Sequence, residues 1–474
     1  MPKVPAAHFS PTRREILQGA TVAGGAFLLD GCHGGPAPVS AARLGNQPLA
    51  GGLDVRGTRF TKDGKPFFVS GINYWAGTTL ARTDNITGGW DQVRRDLDGI
   101  QAAGINMIRT MAATEGPNTE PERIVPTIQP APGQYDPAGV AGVLRFAEEL
   151  QKRGLFGIYQ LSNFWQWSGG FAQYVSWAGG GAIPYPPPAP GGSWDTYQHF
   201  AGSFYKNAKA VELYEAFIKF IVPQLKSNPT VIWELANEPR GMTNQSAFHD
   251  WIDRTARLIK SLGPGQLVTT GSEGLTGSPV YAGVDPVKDH ASAAIDFICF
   301  HMWAENWGWV HGDSIPKGYP RALDLAKKYV AKHAELAAKT GKPLLLEEFG
   351  FPRDGGSFDP SSPTTFRDQY FQEVYSLVAS LIPTTPMAGI MPWAWAGDQR
   401  PPRPGEFWKP GDPFIGDPPH EKQGWYSIYD KDTTLKLIAA WSPKITGSVT
   451  GASAPAPAGA PTAALPVSGR PSAG

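Results

Sequence analysis

A chain of 474 residues, 41% hydrophobic and 18% charged, can bury one large core or two to three smaller ones. Its 42 Lys plus Arg balance 42 Asp plus Glu, which leaves no electrostatic case for nucleic acid or a bare membrane surface as partner. The two cysteines, Cys32 and Cys299, are too few for a disulfide framework or a four-ligand zinc site.

Residues 1–32 read as an export leader. Arg13 and Arg14 precede a weakly apolar run to Leu29 that is too short to cross a bilayer as a helix. The segment resembles a twin-arginine leader, which implies a periplasmic or extracellular mature protein. Leu29-Asp30-Gly31-Cys32 resembles a lipoprotein cleavage box, so any membrane attachment is expected through acylation of Cys32. Residues 33–52 are rich in Pro, Gly and Ala and form a flexible linker.

The folded region is expected over 53–442. Asp63-Gly64 between short apolar runs marks a hairpin, and the strand after it runs from Phe67 to Asn73. Helices and strands then alternate. Trp90–Ala103 is an amphipathic helix closed by Gly104, before the strand Ile105–Arg109. Ala138–Arg153 leads to Leu155–Leu161, Glu212–Lys226 to Val231–Glu238, and Phe248–Leu262 to Leu267–Gly271. The link to Ile295–Trp303 looks loop-like. Arg321–Lys339 then leads to Pro343–Gly350, and Phe366–Ile382 to Gly389–Trp395. Eight such strands are the arithmetic of a single α/β domain, a (β/α)8 TIM barrel with long βα loops and a short N-terminal hairpin. A doubly wound open sheet is the alternative, and it lacks a Gly-rich dinucleotide fingerprint after its first strand. Long insertions at 164–204, 304–319 and 396–423 follow strand ends and carry many of the 16 tryptophans. After Trp441 the chain turns to Ala, Pro, Gly and Ser, so 443–474 should be a disordered tail.

Barrel enzymes carry their chemistry where the strands end. The run Val231-Ile232-Trp233-Glu234-Leu235-Ala236-Asn237-Glu238-Pro239 ends strand four on an acid, and Glu348 ends strand seven. Two facing carboxyls suit glycosidic bond cleavage: about 5 Å apart they retain anomeric configuration, and farther apart they admit a water and invert it. Arg109, ending strand two, can keep the nucleophile ionised, and Asn237 can bond the sugar 2-hydroxyl. His301, ending strand six, can orient substrate or acid. Trp393, ending strand eight, offers a flat face to a sugar, and Trp75, Trp165, Trp303 and Trp307 add further aromatic surface near the rim. Glu234 and Glu347 are rival acids. Two-residue alternation puts Glu234 deeper on the same side as Glu238 and points Glu347 away from Glu348.

Asn237-Glu238-Pro239 with Glu348-Phe349-Gly350 resembles glycoside hydrolase family 5, and within it most of all the bacterial endo-β-1,4-mannanases. Thr270–Gly274, His301-Met302-Trp303, Asn306–Trp309 and Pro392–Trp395 support the match, as do Gly416–Pro419 and Gly424–Ser427. The resemblance implies a retaining hydrolase with Glu238 as acid/base and Glu348 as nucleophile. It places Arg109, Asn237, His301 and Trp393 on active-site positions. Many members carry tyrosine two residues after the strand-six histidine; this chain has Trp303, whose indole can only donate. The expected substrate is β-mannan, cut by a monomer that needs no cofactor or metal. A β-1,4-glucanase or exo-β-mannosidase is the nearest rival, and a non-catalytic sugar-binding barrel a distant one.

Overall fold

A computed structural model describes residues 47–84, 88–119 and 123–447. Arg13, Arg14, Cys32 and the tail beyond Gly447 lie outside the described residues.

The Asp63-Gly64 hairpin forms as expected, inside a three-stranded antiparallel meander of Leu53–Arg56, Arg59–Lys62 and Lys65–Phe67. Lys62 pairs with Lys65 across the turn, with φ of 50° at Asp63 and 77° at Gly64. Both values are left-handed, which a two-residue hairpin demands and which Asp-Gly supplies at low cost.

The barrel consists of β1 (Val69–Asn73), β2 (Met107–Met111), β3 (Phe156–Gln160), β4 (Val231–Glu234), β5 (Val268–Thr269), β6 (Ile298–Trp303), β7 (Leu344–Gly350) and β8 (Met387–Ile390). All pair in parallel, in the order β5-β4-β3-β2-β1-β8-β7-β6. The β5–β6 seam is joined by single contacts instead of a ladder: Asp296 N donates to Val268 O at 2.8 Å and Thr269 Oγ1 to Phe297 O at 3.0 Å. Residues 270–297, between these two strands, contain no helix, as the loop-like sequence suggested.

The other crossovers are helical: α1 (Gly89–Ala102), α2 (Pro137–Arg153), α3 (Ala208–Leu225), α4 (Gln245–Leu262), α5 (Ile315–Ala338), α6 (Thr365–Leu381) and α7 (Thr433–Thr446). Helix α2 shows why. Asp136 caps its first turn, Pro137 presets φ, and Gly154 ends it in the left-handed conformation. Between them Val140, Val143, Phe146, Ala147 and Leu150 recur at helical spacing and are buried.

The meander plugs one end of the barrel. Leu53, Val55 and Phe60 join Met107, Phe156, Ile158, Ile232 and Leu345 in one buried cluster, with Phe60 edge-on to Phe297 at 5.1 Å. That leaves the C-terminal ends of the strands as the open mouth.

Strands β4 and β8 stop well before the sequence suggests, and β5 stops two residues before, at Thr269. Strand β4 ends at Glu234, because Asn237 N turns to Ser162 O and Glu238 N to Gly271 O, both at 2.9 Å. Glu238 itself has φ 49°. Strand β8 ends at Ile390, before Pro392, which cannot donate to a ladder. Trp393 N still reaches Phe349 O at 2.9 Å, so the rim continues as irregular chain.

Candidate active site

At the mouth, Glu238, His301 and Glu348 converge, with one polar atom of each within 4.8 Å of the others. His301 Nδ1 lies 2.6 Å from Glu238 Oε1 and 3.2 Å from Glu348 Oε2. The two carboxyls expected to face each other therefore do so, bridged by one imidazole. These three donors are also the group able to ligate a cation among the described residues.

Beneath them sits Arg109, fully buried. Its Nη1 contacts Glu348 Oε1 and donates to Asn73 Oδ1 at 3.1 Å. Its Nε and Nη2 grip Glu234 through two bonds of 2.7 Å, and Nη2 also reaches Asn237 Oδ1 at 2.8 Å. Glu234 is thus the deep partner of Arg109, as its position on the strand implied. Asn237 is engaged at both ends, since its Nδ2 donates to Asn163 Oδ1 at 3.1 Å.

Glu347 departs from expectation. Simple alternation points it away from Glu348, yet both face the barrel axis. Leu346 pairs with Phe300 and Glu348 with His301, so Glu347 is the extra residue of a β-bulge. The bulge turns its carboxylate inward, where Oε2 lies 3.5 Å from His301 Nε2 and 3.7 Å from Arg109 Nε.

Four carboxyls thus crowd one guanidinium in a buried site and cannot all be charged. Burial raises Glu234, Glu238 and Glu348 above the usual carboxylate range. Arg109 opposes this at Glu348, and the charge of Arg240 does so at Glu238. The two facing carboxyls titrate as a pair. The direct Arg109 contact favours the ionised form of Glu348, while burial and the charge of Glu238 raise it. Burial also lowers His301 to about 4, so its ring is neutral near pH 7.

The tryptophans divide. Trp165, on the strand-three loop, donates its indole N–H to Glu238 Oε2 at 2.5 Å and stacks over Tyr197. Trp303 faces the same carboxyl and helps to hold its charged form. It also meets Trp393 edge-on at 5.9 Å. Trp75 is sealed: its indole donates to Gly416 O at 3.0 Å, and its ring is wedged between Trp167 and Phe414. Trp307 packs on Trp309 and Tyr329.

Residue-type reasoning passed over Arg240 and Glu273. Arg240 binds Glu273 through bonds of 2.6 and 2.8 Å and lies under the Trp165 ring at 4.8 Å. Their sequence signals are position, Arg240 two residues past Glu238 and Glu273 just past strand five, and for Glu273 its place in the Thr270–Gly274 stretch. Asn73 was legible only as the last residue of strand one.

Known proteins resemble this chain over the same region. A family model described as GH family 5 beta-mannosidase-like matches residues 52–448. Mannan endo-1,4-beta-mannosidase A of Podospora anserina is 29% identical over 320 residues, covering 64% of this chain and 75% of that protein. A crystal structure of a glycoside hydrolase family 5 mannosidase from Rhizomucor miehei is 31% identical, with a TM-score of 0.77 over 84% of this chain and 98% of the other. The endo-beta-1,4-mannanase from Thermotoga petrophila shares the fold, at 22% identity and a TM-score of 0.59 over 82% of this chain and 79% of that one.

Proposed function

The chain belongs to glycoside hydrolase family 5, and from that premise we propose that it hydrolyses β-1,4-mannosidic linkages within mannan, glucomannan or galactomannan with retention of configuration. The carrying observation is the separation of Glu238 and Glu348, within 4.8 Å and spanned by His301. That spacing is too tight for an intervening nucleophilic water and suits direct attack by a carboxylate.

In the first step Glu348 attacks the anomeric carbon while Glu238 passes its proton to the departing glycosidic oxygen. In the second, Glu238, now a carboxylate, takes a proton from water. The water oxygen attacks the anomeric carbon and releases Glu348. Neutral His301, 2.6 Å from Glu238, can accept from the acid or donate to its conjugate base, which suits both steps. Arg109 holds Glu348 ready as the anion, and Trp393 and Trp165 wall the site with aromatic surface.

Mannan as substrate rests on what the named relatives act on. The twin arginines support export to the periplasm or beyond, and acylation of Cys32 would anchor the exported chain. Product sizing on mannan, glucomannan and cellulose tests the assignment. Early mixed mannooligosaccharides are expected, and mannose alone would redirect the reading to exo action. Activity requires Glu238 protonated and Glu348 ionised, the singly protonated state of the pair, so it should fall on both sides of a bell-shaped pH profile, and because burial raises both carboxyls that bell should sit above the ordinary carboxylate range. Glu238→Ala and Glu348→Ala should each lose about 10²–10⁴-fold in kcat. Turnover near the wild-type rate in either variant would sink the mechanism.

A further inference from the structure

Burial keeps His301 neutral, so one of its ring nitrogens carries hydrogen and the other a bare lone pair. The groups around the ring decide which. Nδ1 lies 2.6 Å from Glu238 Oε1 and 3.2 Å from Glu348 Oε2. Among the described residues, Nε2 has a single polar neighbour within hydrogen-bonding range, Glu347 Oε2 at 3.5 Å. That neighbour is present because the β-bulge in β7 turns Glu347 inward. Arg109 and Glu273 also act on the ring through their charges. On the Glu347 side, Arg109 Nε stands 3.7 Å from the same carboxylate oxygen. Burial and the charge of Glu347 raise the Cys299 thiol, so this neighbour stays uncharged.

Counting protons separates the two tautomers. With hydrogen on Nε2, a single carboxyl proton satisfies every contact. Nε2–H donates to Glu347, the acid proton of Glu238 donates to Nδ1, and Arg109 covers Glu348. With hydrogen on Nδ1, the bare Nε2 lone pair faces Glu347 Oε2, and only a further proton on Glu347 relieves the repulsion.

We propose that Glu347 is a positioning residue: it accepts from His301 Nε2–H, turns the Nδ1 lone pair on Glu238, and so holds the acid proton there in the resting enzyme. Once Glu238 has passed that proton to the leaving oxygen, its carboxylate faces the same lone pair. This favours its taking a proton from water in the second step. Both effects act through the acid/base and leave the nucleophile to Arg109. The proposal rests on the hydrolase reading of the site.

The test compares the wild type with Glu347→Met, which removes the acceptor, and Glu347→Gln, whose amide oxygen keeps one. The substrates are mannotetraose, whose sugar leaving group needs a proton, and dinitrophenyl β-mannobioside, whose phenolate leaves without one. Glu347→Met should lower kcat/KM about tenfold on mannotetraose but no more than about twofold on the dinitrophenyl glycoside. Glu347→Gln should lower the mannotetraose value only about threefold. Wild-type kinetics in Glu347→Met, equal losses on the two substrates, or equal losses in the two variants would each overturn the proposal.

NMR of protein carrying nitrogen-labelled histidine reads the tautomer directly, with the His301 signals assigned by their absence from His301→Asn. Hydrogen on Nε2 in the wild type and on Nδ1 in Glu347→Met is expected. Hydrogen on Nδ1 in the wild type overturns the proposal whatever the kinetics. If Glu347→Met does not fold, the wild-type spectrum and the split between substrates in Glu347→Gln decide. If the wild type cleaves neither substrate, the hydrolase reading fails separately and the spectrum alone decides the tautomer.

Discussion

At the scale of single residues, Arg109 is the side chain on which the site depends most. It touches Glu234, Glu348, Asn73 and Asn237 at once, with no solvent to share the charge. Arg109→Met would leave at least two carboxyls facing each other without a counter-charge. Breaking such a buried pair costs about 3–5 kcal/mol, so urea denaturation near pH 7 should show a loss of that order together with loss of turnover. The carboxyls can protonate instead, so the loss should shrink as pH falls. Arg109, Glu238 and Glu348 could be read from sequence because each ends a run with strand-like patterning. Glu347 could not: one inserted residue reverses the side on which it points, and a bulge leaves no mark in apolar alternation.

At the scale of elements, α1 docks through a buried acid. Asp96 accepts from the Tyr74 hydroxyl at 2.6 Å, yet burial still raises its carboxyl to about 6. Between the unfolded value near 4 and that folded value, the native state binds more protons than the unfolded one. Stability contributed here therefore falls as pH rises from about 4 to about 6, by an amount of about 3 kcal/mol. Asp96→Asn should flatten this dependence and gain on wild type at pH 7 but not at pH 4. Chemical denaturation at both values would show it, and equal slopes for the two proteins would refute it. The helices themselves were legible from caps and periodicity, α2 almost to the residue. Strands β4 and β8 were read too long, because their rims keep hydrogen bonding after regular extension has ended.

For the molecule as a whole, barrel closure is the vulnerable step. Seven neighbouring pairs are laddered, while β5 and β6 meet only through isolated bonds. Asp296 holds that seam, accepting from Lys260 Nζ at 2.5 Å and Val268 N at 2.7 Å. Asp296→Ala should cost about 1–3 kcal/mol and speed amide exchange in β5 and β6 before other strands. Uniform exchange across the barrel would argue against a local weak point. Eight strands could be counted from sequence, and the missing helix at 270–297 was visible as a lapse in periodicity. What pattern could not supply is the pairing of Arg240 with Glu273, which is set by loop paths across the mouth.

The φ of 49° at Glu238 carries a consequence for stability. A side chain in that left-handed region costs about 1–2 kcal/mol that glycine would not bear, and burying a carboxyl adds to the burden. Glu238→Gly should therefore be inert while its relieved strain offsets the lost partners of Trp165 and His301, leaving a melting temperature close to that of its parent, which a melting curve can check. The strained backbone at this position is thus held for the chemistry of its side chain and not for the stability of the fold.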